Sequence, residues 1–263
     1  MSDTTWTVAM AEAYDRGIGP VVFEPYARQV AARARELAPQ VALEIAAGSG
    51  IVTDALLEAL PSLALTATDL NEAMVDYGRE RVPGATWQVA DAQALPFPSA
   101  SFDLVLCQFG VMFFPDKVGA YAEMARVLRP GGSCLIAIWD TLASCQFEAA
   151  LTDTLAGLFP DDPPDFLARI PHGYADPDQI TADVTAGGLE LVSLERVVET
   201  SSASSAATVA DAYCHGSPLR FALEPRGDLE QLTGQVADAL TARLGEGPVS
   251  GEMSAIVVTA RKA

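Results

Sequence analysis

The sequence predicts an α/β protein built as a doubly wound parallel sheet, and three observations carry that prediction. Between Val41 and Trp139, short apolar runs alternate with segments whose apolar residues recur at helical spacing, the pattern of strands joined by covering helices. The first run, Val41 to Ile45, passes through Ala46-Ala47-Gly48-Ser49-Gly50 into Ile51, Leu56, Leu57 and Leu60, which reads as strand, tight turn and helix. Half of the 263 residues are hydrophobic, enough for a large core, and no run reaches the roughly 18 uninterrupted apolar residues of a membrane helix.

Each element follows from its own pattern. Residues 4 to about 38 read as helical: one stripe runs through Trp6, Met10, Ala13 and Tyr14. After breaks at Gly17, Gly19 and Pro20, a second runs through Phe23, Tyr26, Val30 and Leu37. Then come strand 41–46, helix 51–60, strand 63–68, helix 71–81, strands 85–90 and 102–108, helix 116–128 and strand 133–139. Right-handed crossovers place the first strand centrally, with the second and third on one side and the fourth and fifth on the other, so the crevice opens between strands one and four. Beyond Asp140 the regularity loosens: a helix near 144–157, an irregular stretch through Tyr174, a helix near 177–187 and a strand over Leu189–Val198. Ser201 to Thr208 reads as loop, followed by helices near 208–217 and 227–244 and a last strand over Ala255–Ala260. Nothing divides the chain into separate domains, so 1–263 reads as one unit.

Composition narrows the function classes. With 35 acidic against 16 basic side chains, the formal charge of −19 repels nucleic acid, and no Lys/Arg cluster interrupts that field. Cys107, Cys134, Cys145 and Cys214 are scattered, without a Cys-x-x-Cys pair, so reduced buried thiols are expected and no metal centre. The start, Met1-Ser2-Asp3-Thr4-Thr5-Trp6, lacks the basic and apolar parts of a signal peptide, which leads us to expect a cytoplasmic protein with no membrane partner.

Small residues in the turn after the first strand let a ligand approach the backbone, where helix N-terminal N–H groups stay available. Asp69 ends the second strand about 20 residues beyond the turn, the position from which a carboxylate accepts both ribose hydroxyls of an adenosine. Leu70 and Met74 follow, apolar and able to lie on a purine. Asp91 ends the third strand, its carboxylate placed to accept from an adenine amino group while the Ala92 N–H donates to the ring. Either aspartate alone equally suits a helix or turn cap; the pair on consecutive strand ends favours adenosine. The fourth strand ends at Gln108, beside the turn, and Leu128-Arg129-Pro130-Gly131-Gly132 stops a helix ahead of the fifth.

The ordered set Val-Ala-Leu-Glu-Ile-Ala-Ala-Gly-Ser-Gly, Ala-Thr-Asp-Leu-Asn-Glu-Ala-Met, Val-Ala-Asp-Ala-Gln-Ala-Leu-Pro-Phe, Ser-Phe-Asp-Leu-Val-Leu-Cys-Gln-Phe and Leu-Arg-Pro-Gly-Gly resembles the class I S-adenosylmethionine-dependent methyltransferases, in the small-molecule branch similar to the ubiquinone and menaquinone C-methyltransferases. The resemblance implies a Rossmann-like seven-stranded sheet whose last strand, suited by Ala255–Ala260, is antiparallel and inserts beside the fifth. It implies a cofactor-binding core over 41–140, S-adenosylmethionine as cofactor and S-adenosylhomocysteine as product. By position, Ala46, Gly48 and Glu44 would lie near the methionine part, Asp69 at the ribose, Leu70, Met74, Asp91 and Ala92 at the adenine, and Gln108 beneath the sulfonium. One departure stands out: Ala46 occupies a place where the family usually has glycine, tolerable if its φ is negative.

The N-terminal helices (1–38) and segments 141–176 and 200–248 would form the substrate lid. They carry Trp6, Tyr14, Phe23, Tyr26, Phe147, Phe159, Phe166, Tyr174, Tyr213 and Phe221, which points to an apolar or aromatic small molecule as acceptor; Tyr14 is expected against the cofactor. A methyl on sulfonium is already activated, so a base is needed only for a neutral hydroxyl or a carbon nucleophile. Asp140, His172 and His215 are the candidates, with no catalytic residue assigned among them. The alternatives are a non-catalytic or cyclase-type S-adenosylmethionine-binding protein, and an NAD(P)-dependent oxidoreductase. The latter lacks its third glycine, since Ile51, Val52 and Thr53 follow Gly50, and has no Tyr-x-x-x-Lys pair. The oligomeric expectation is a monomer or homodimer.

Overall fold

The computed structural model describes residues 7–263; Trp6 lies outside the described residues. In chain order come α1 (Val8–Ile18), a π-helical turn (Gly19–Phe23), α2 (Glu24–Leu37), β1 (Val41–Ile45), α3 (Ile51–Ala59), β2 (Ala64–Asp69), α4 (Glu72–Arg81), β3 (Thr86–Val89) and β4 (Phe102–Gln108). The remainder comprises α5 (Lys117–Val127), β5 (Leu128–Trp139), α6 (Gln146–Leu158), α7 (Phe166–Arg169), α8 (Pro177–Ala186), β6 (Glu190–Ala203), α9 (Ala206–Cys214), α10 (Leu219–Leu223), α11 (Leu229–Leu244) and β7 (Val249–Arg261).

The strands form one sheet in the order β3-β2-β1-β4-β5-β7-β6. β1 pairs in parallel with β2 and β4, and β4 with β5, so the topological switch lies between β1 and β4. β7 runs antiparallel between β5 and β6, the Rossmann-like arrangement expected of the final strand. The central strands are buried along nearly their whole length: Ala42, Leu43, Leu104, Val105 and Leu106 are fully enclosed, as a parallel sheet covered on both faces requires.

Where the boundaries depart from the sequence pattern, tertiary contacts are the reason. Gly17, Gly19 and Pro20 do not break the N-terminal helix. Gly19 stays right-handed helical, and the chain absorbs Pro20, which has no N–H to donate, in a π turn closed by Glu24 N–H donating to the Gly19 carbonyl. The Ser201–Ala203 segment, expected as loop, is strand: it pairs with Gly251, Ser250 and Val249, and this partner lengthens both β6 and β7 beyond their apolar runs. β5 likewise begins at Leu128, paired to Phe102. Pro130-Gly131-Gly132 lies in a bulge within the strand, where Gly131 takes φ +76° and donates to the Lys262 carbonyl. Tyr26 bolts α2 beneath the far edge of the sheet, its hydroxyl donating to the Val197 and Met253 carbonyls at 3.0 and 2.7 Å.

Candidate active site

The carboxyl ends of β1 to β5 open into one large cavity of about 910 Å³. That is near the upper end of small-molecule sites, room for a nucleoside cofactor and a small acceptor together. α1 and the π turn roof one end; α6, the segment through α7 to His172, and the end of α9 close the other.

At the first end, the turn after β1 is a run of backbone N–H groups and left-handed residues. Gly48 (φ +56°) donates its N–H to Asp69 Oδ2 at 2.9 Å, and Asn71 N–H donates to Asp69 Oδ1 at 2.9 Å. Asp69 is thereby aimed along the cavity wall. Burial pushes its carboxyl up, while the N–H donors from Asn71, Gly48 and Leu70 pull it down. Ala46 has φ +54°, so the condition of a negative φ is not met: alanine holds the left-handed conformation that glycine reaches freely, at a cost of about 1 kcal/mol. Phe109, at the end of β4, is left-handed too (φ +57°), and its ring stacks on Trp139 at the end of β5, centroids 3.6 Å apart. Both strand ends that flank the crevice are strained where they meet it.

Leu70 sits on the rim with 70% of its surface exposed, whereas Met74 is buried. Asp91 and Ala92 line the same end; Asp91 Oδ1 accepts from Gln93 N–H at 2.9 Å, so this oxygen makes the turn cap. Tyr14 lies over the turn, its ring 3.9 Å from where a Gly48 Cβ would stand. Burial, then Asp69 and Asp15, push its hydroxyl far above the usual range. α1 is held there by Asp15, which the sequence did not single out. Its carboxylate accepts from Ser49 Oγ (2.8 Å), Tyr77 OH and Arg81 Nε (both 3.1 Å), while Arg81 also donates to the Gly50 carbonyl.

Glu44 is the exception among the expected cofactor residues. It does not reach the main cavity but lines a small hollow under the turn, together with Gln108, Ala46 and Gly48. Thr53 Oγ1 donates to Glu44 Oε2 at 2.6 Å. Burial drives the Glu44 carboxyl up to about 8, against the Thr53 bond, with Asp69 adding to the rise. Gln108 faces both spaces; its Nε2 donates to the Phe23 carbonyl at 3.3 Å, and its buried Oε1 has no partner among the described residues. An orphaned buried acceptor beside a buried carboxyl, at the floor of a glycine turn, fits a ligand that brings a positively charged donor.

At the other end the three candidate bases separate. Asp140 turns away from the cavity, because Arg196 Nε and Ser254 Oγ (2.9 Å each) and its neighbour Thr141 N–H (2.8 Å) all donate to its carboxylate. His215 is bonded to Thr233 Oγ1 at 3.0 Å, outside the cavity wall. Only His172 lines the cavity. Its Nδ1 lies 2.7 Å from the Asp140 carbonyl, an oxygen that can only accept, so Nδ1 is the donor there and the tautomer with its lone pair on Nε2 is the one this contact selects.

Beside it stands Glu148, which sequence reasoning missed. It lies in the first turn of α6, 4% exposed, and Tyr213 OH donates to Oε1 at 2.5 Å. Burial and the Glu148 charge hold the Tyr213 phenol well above its ordinary range, so it remains a donor. A lone carboxylate at a buried position of an otherwise apolar helix face was the available signal. Of the expected lid aromatics, Tyr14, Phe23, Phe166 and Tyr213 line the cavity, while Tyr26 and Phe147 are core. Phe109, Phe113 and Trp139 add aromatic wall from the strand ends.

A doubly wound sheet with an antiparallel β7 insertion and an acid-ended β2 over a glycine turn defines the S-adenosylmethionine-dependent methyltransferase class. Residues 43–136 match the family described as methyltransferase domain. The chain is 32% identical over 163 residues to a ubiquinone/menaquinone biosynthesis C-methyltransferase UbiE of Burkholderia vietnamiensis, covering 57% of this chain and 67% of that one. To the UbiE of Geobacter sulfurreducens it is 34% identical over 113 residues, 40% of this chain and 44% of the relative, so it spans about half the length of several relatives it matches. Among solved structures, a Haemonchus contortus phosphoethanolamine N-methyltransferase 2 with phosphomonomethylethanolamine and S-adenosylhomocysteine shares the fold at TM-score 0.62 and 18% identity, covering 98% of this chain and 58% of that one. The [4+2]-cyclase SpnF shares it at TM-score 0.54 and 15% identity, covering 100% and 84%. The chain belongs to the class I S-adenosylmethionine-dependent methyltransferases.

Proposed function

We propose that this protein transfers a methyl group from S-adenosylmethionine to an oxygen, nitrogen or carbon nucleophile of a small, apolar or aromatic molecule. The single observation that carries the reading is the cavity itself: a polar end built on Asp69 and the Gly48 turn, continuous with an aromatic end closed by segments outside the cofactor core.

In this reading Asp69 accepts the ribose hydroxyls, and Leu70 and Met74 cover the adenine, which gives the exposed Leu70 its function. The free Asp91 oxygen and the Ala92 N–H read the adenine edge. Glu44 and the orphaned Gln108 Oε1 answer the amino group of the methionine part, while Ala46, Gly48 and Tyr14 enclose its path. The cofactor supplies a methyl carbon on positively charged sulfur. The chain supplies alignment and exclusion of water, by closure of α1 and the 141–176 and 200–248 segments over the site. Where the acceptor must lose a proton, His172 Nε2 is the cavity-lining base. The charge of −19 supports a small-molecule rather than a nucleic-acid partner; the compartment we propose is the cytoplasm and the assembly a monomer or homodimer.

Calorimetric titration with S-adenosylmethionine, S-adenosylhomocysteine and NADH tests the reading. Both S-adenosyl compounds are expected to bind and NADH not to; the reverse pattern would overturn it. Asp69→Ala is expected to weaken S-adenosylmethionine at least tenfold, about 1.4 kcal/mol, without unfolding the protein. Release of S-adenosylhomocysteine against a panel of phenols, quinones and amines separates a methyltransferase from a silent or cyclase-type binder.

A further inference from the structure

We propose that the acceptor is an amine on an apolar skeleton, recognised by Glu148 and deprotonated by His172; this rests on the methyltransferase reading of the same cavity. Five carboxylates line the cavity (Asp69, Glu72, Asp76, Asp91 and Glu148), and among the described residues no lysine or arginine does. An acceptor bearing phosphate or carboxylate would enter that field unpaired. Four of the five lie at the adenosine end. Glu148 alone stands at the inner end, between aromatic walls.

Among the described residues no lysine or arginine pairs with Glu148. The one hydrogen bond on its carboxylate among the described residues comes from Tyr213 OH on Oε1, which leaves Oε2 for a ligand. A buried carboxylate left this way calls for a positive donor from outside the chain. His172 presents the second acceptor, because the Asp140 carbonyl holds the proton on Nδ1 and leaves Nε2 with its lone pair. A ring nitrogen of His172 and a carboxylate oxygen of Glu148 lie within 4.8 Å of each other. Two hydrogen bonds of about 2.9 Å diverging at the tetrahedral angle of an ammonium nitrogen span about 4.7 Å. A single –NH3+ group matches a separation of that size. Trp139 and Phe109 stack in the adjacent wall, a surface that also favours a cation.

Cys145 completes a three-residue group with atoms within the same 4.8 Å, the composition of a metal centre. Its thiol points elsewhere, however, donating to the Ser254 carbonyl at 3.5 Å, and burial pushes it up to about 12, away from the thiolate a metal needs. The amine accounts for both remaining side chains and leaves the thiol as it stands.

The proton order follows from the chemistry. The ammonium proton passes to His172 Nε2, which frees the nitrogen lone pair. The C–N bond then forms as the carbon–sulfur bond breaks, its electron pair staying on sulfur, so the product leaves as a methylated ammonium.

The test is calorimetry of the S-adenosylhomocysteine-loaded protein with three ligands on one skeleton: 3-phenylpropylamine, 3-phenylpropan-1-ol and 3-phenylpropanoate. The amine is expected to bind at least tenfold tighter than the alcohol, and the carboxylate not measurably. Glu148→Gln, which keeps the Tyr213 bond and the volume, is expected to erase the amine advantage with S-adenosylhomocysteine affinity unchanged; Glu148→Asp should restore part of it. With any amine that is turned over, His172→Gln is expected to slow methylation about a hundredfold. Equal or tighter binding of the alcohol or carboxylate, absence of amine binding, an amine preference that survives Glu148→Gln, or stoichiometric Zn2+ capture lost in Cys145→Ser each overturns the inference. Failure of S-adenosylhomocysteine to bind the wild-type protein would instead overturn the methyltransferase reading beneath it.

Discussion

Glu44 shows how much of this site is decided by the surroundings of single side chains. In the unfolded chain its carboxyl ionises in the ordinary range, whereas burial beneath the glycine turn holds it protonated to about 8. Between those two values the unfolded state has released a proton that the folded state keeps, so stability falls as pH rises from about 4.5 to about 8 and is level above. The slope contributed by this one group is at most about 1.4 kcal/mol per pH unit. Urea unfolding of Glu44→Gln from pH 5 to 8 should therefore show a shallower decline than wild type. A parallel decline in both would assign the dependence to other groups. His172 and His215 make the same point from another side: both lie in segments expected to cover the site, and they differ because one meets a carbonyl at the cavity wall and the other a threonine outside it.

The strand ends and the turns leaving them act as units. The turn after β1 and the loop after β4 approach so closely that a Cβ on Gly110 would stand 2.6 Å from Ala46 Cβ and 2.7 Å from Cys107 Sγ. Gly110→Ala is expected to cost about 1–3 kcal/mol by overpacking, read as a lowered urea midpoint. Ala46→Gly should do the opposite in part: relief of the left-handed φ, about 1 kcal/mol, outweighs the added freedom of the unfolded chain. It should also recover some stability in the Gly110→Ala background, because the two methyls share one space. Strict additivity of the two changes would show that they do not. Both elements were readable as strand–turn–helix from their residues. Their mutual distance was not, since Ala46 and Gly110 are remote in sequence and only the β1–β4 pairing brings them together.

At the scale of the molecule, the cavity is walled by segments from α1 to the end of α9, so a ligand that fills it ties the lid to the sheet. S-adenosylhomocysteine at a hundred times its Kd should stabilise the fold by about 2.7 kcal/mol, seen as a concentration-dependent rise in Tm. Asp69→Ala should blunt that rise. Binding without a Tm shift would mean that the lid segments do not engage the ligand.

The sheet, the order of β1 to β5, the crevice above the glycine turn and the family resemblance were legible in the residues alone. Each of these depends on local periodicity or on motif residues a short span apart, such as Gly48 and Asp69. Which polar groups face the cavity beyond the glycine turn emerged with the packed chain. Tyr213 and Glu148 are 65 positions apart, His172 and the Asp140 carbonyl 32, and no local pattern registers such pairs. The tertiary structure also decided that Ala46 is left-handed, that Asp140 turns outward to Arg196, and that a serine-rich stretch becomes strand against β7. The physical reason is common to all of them: local propensity sets what a segment becomes, but the direction of a side chain at an irregular position is set by the partner it meets when the chain closes on itself.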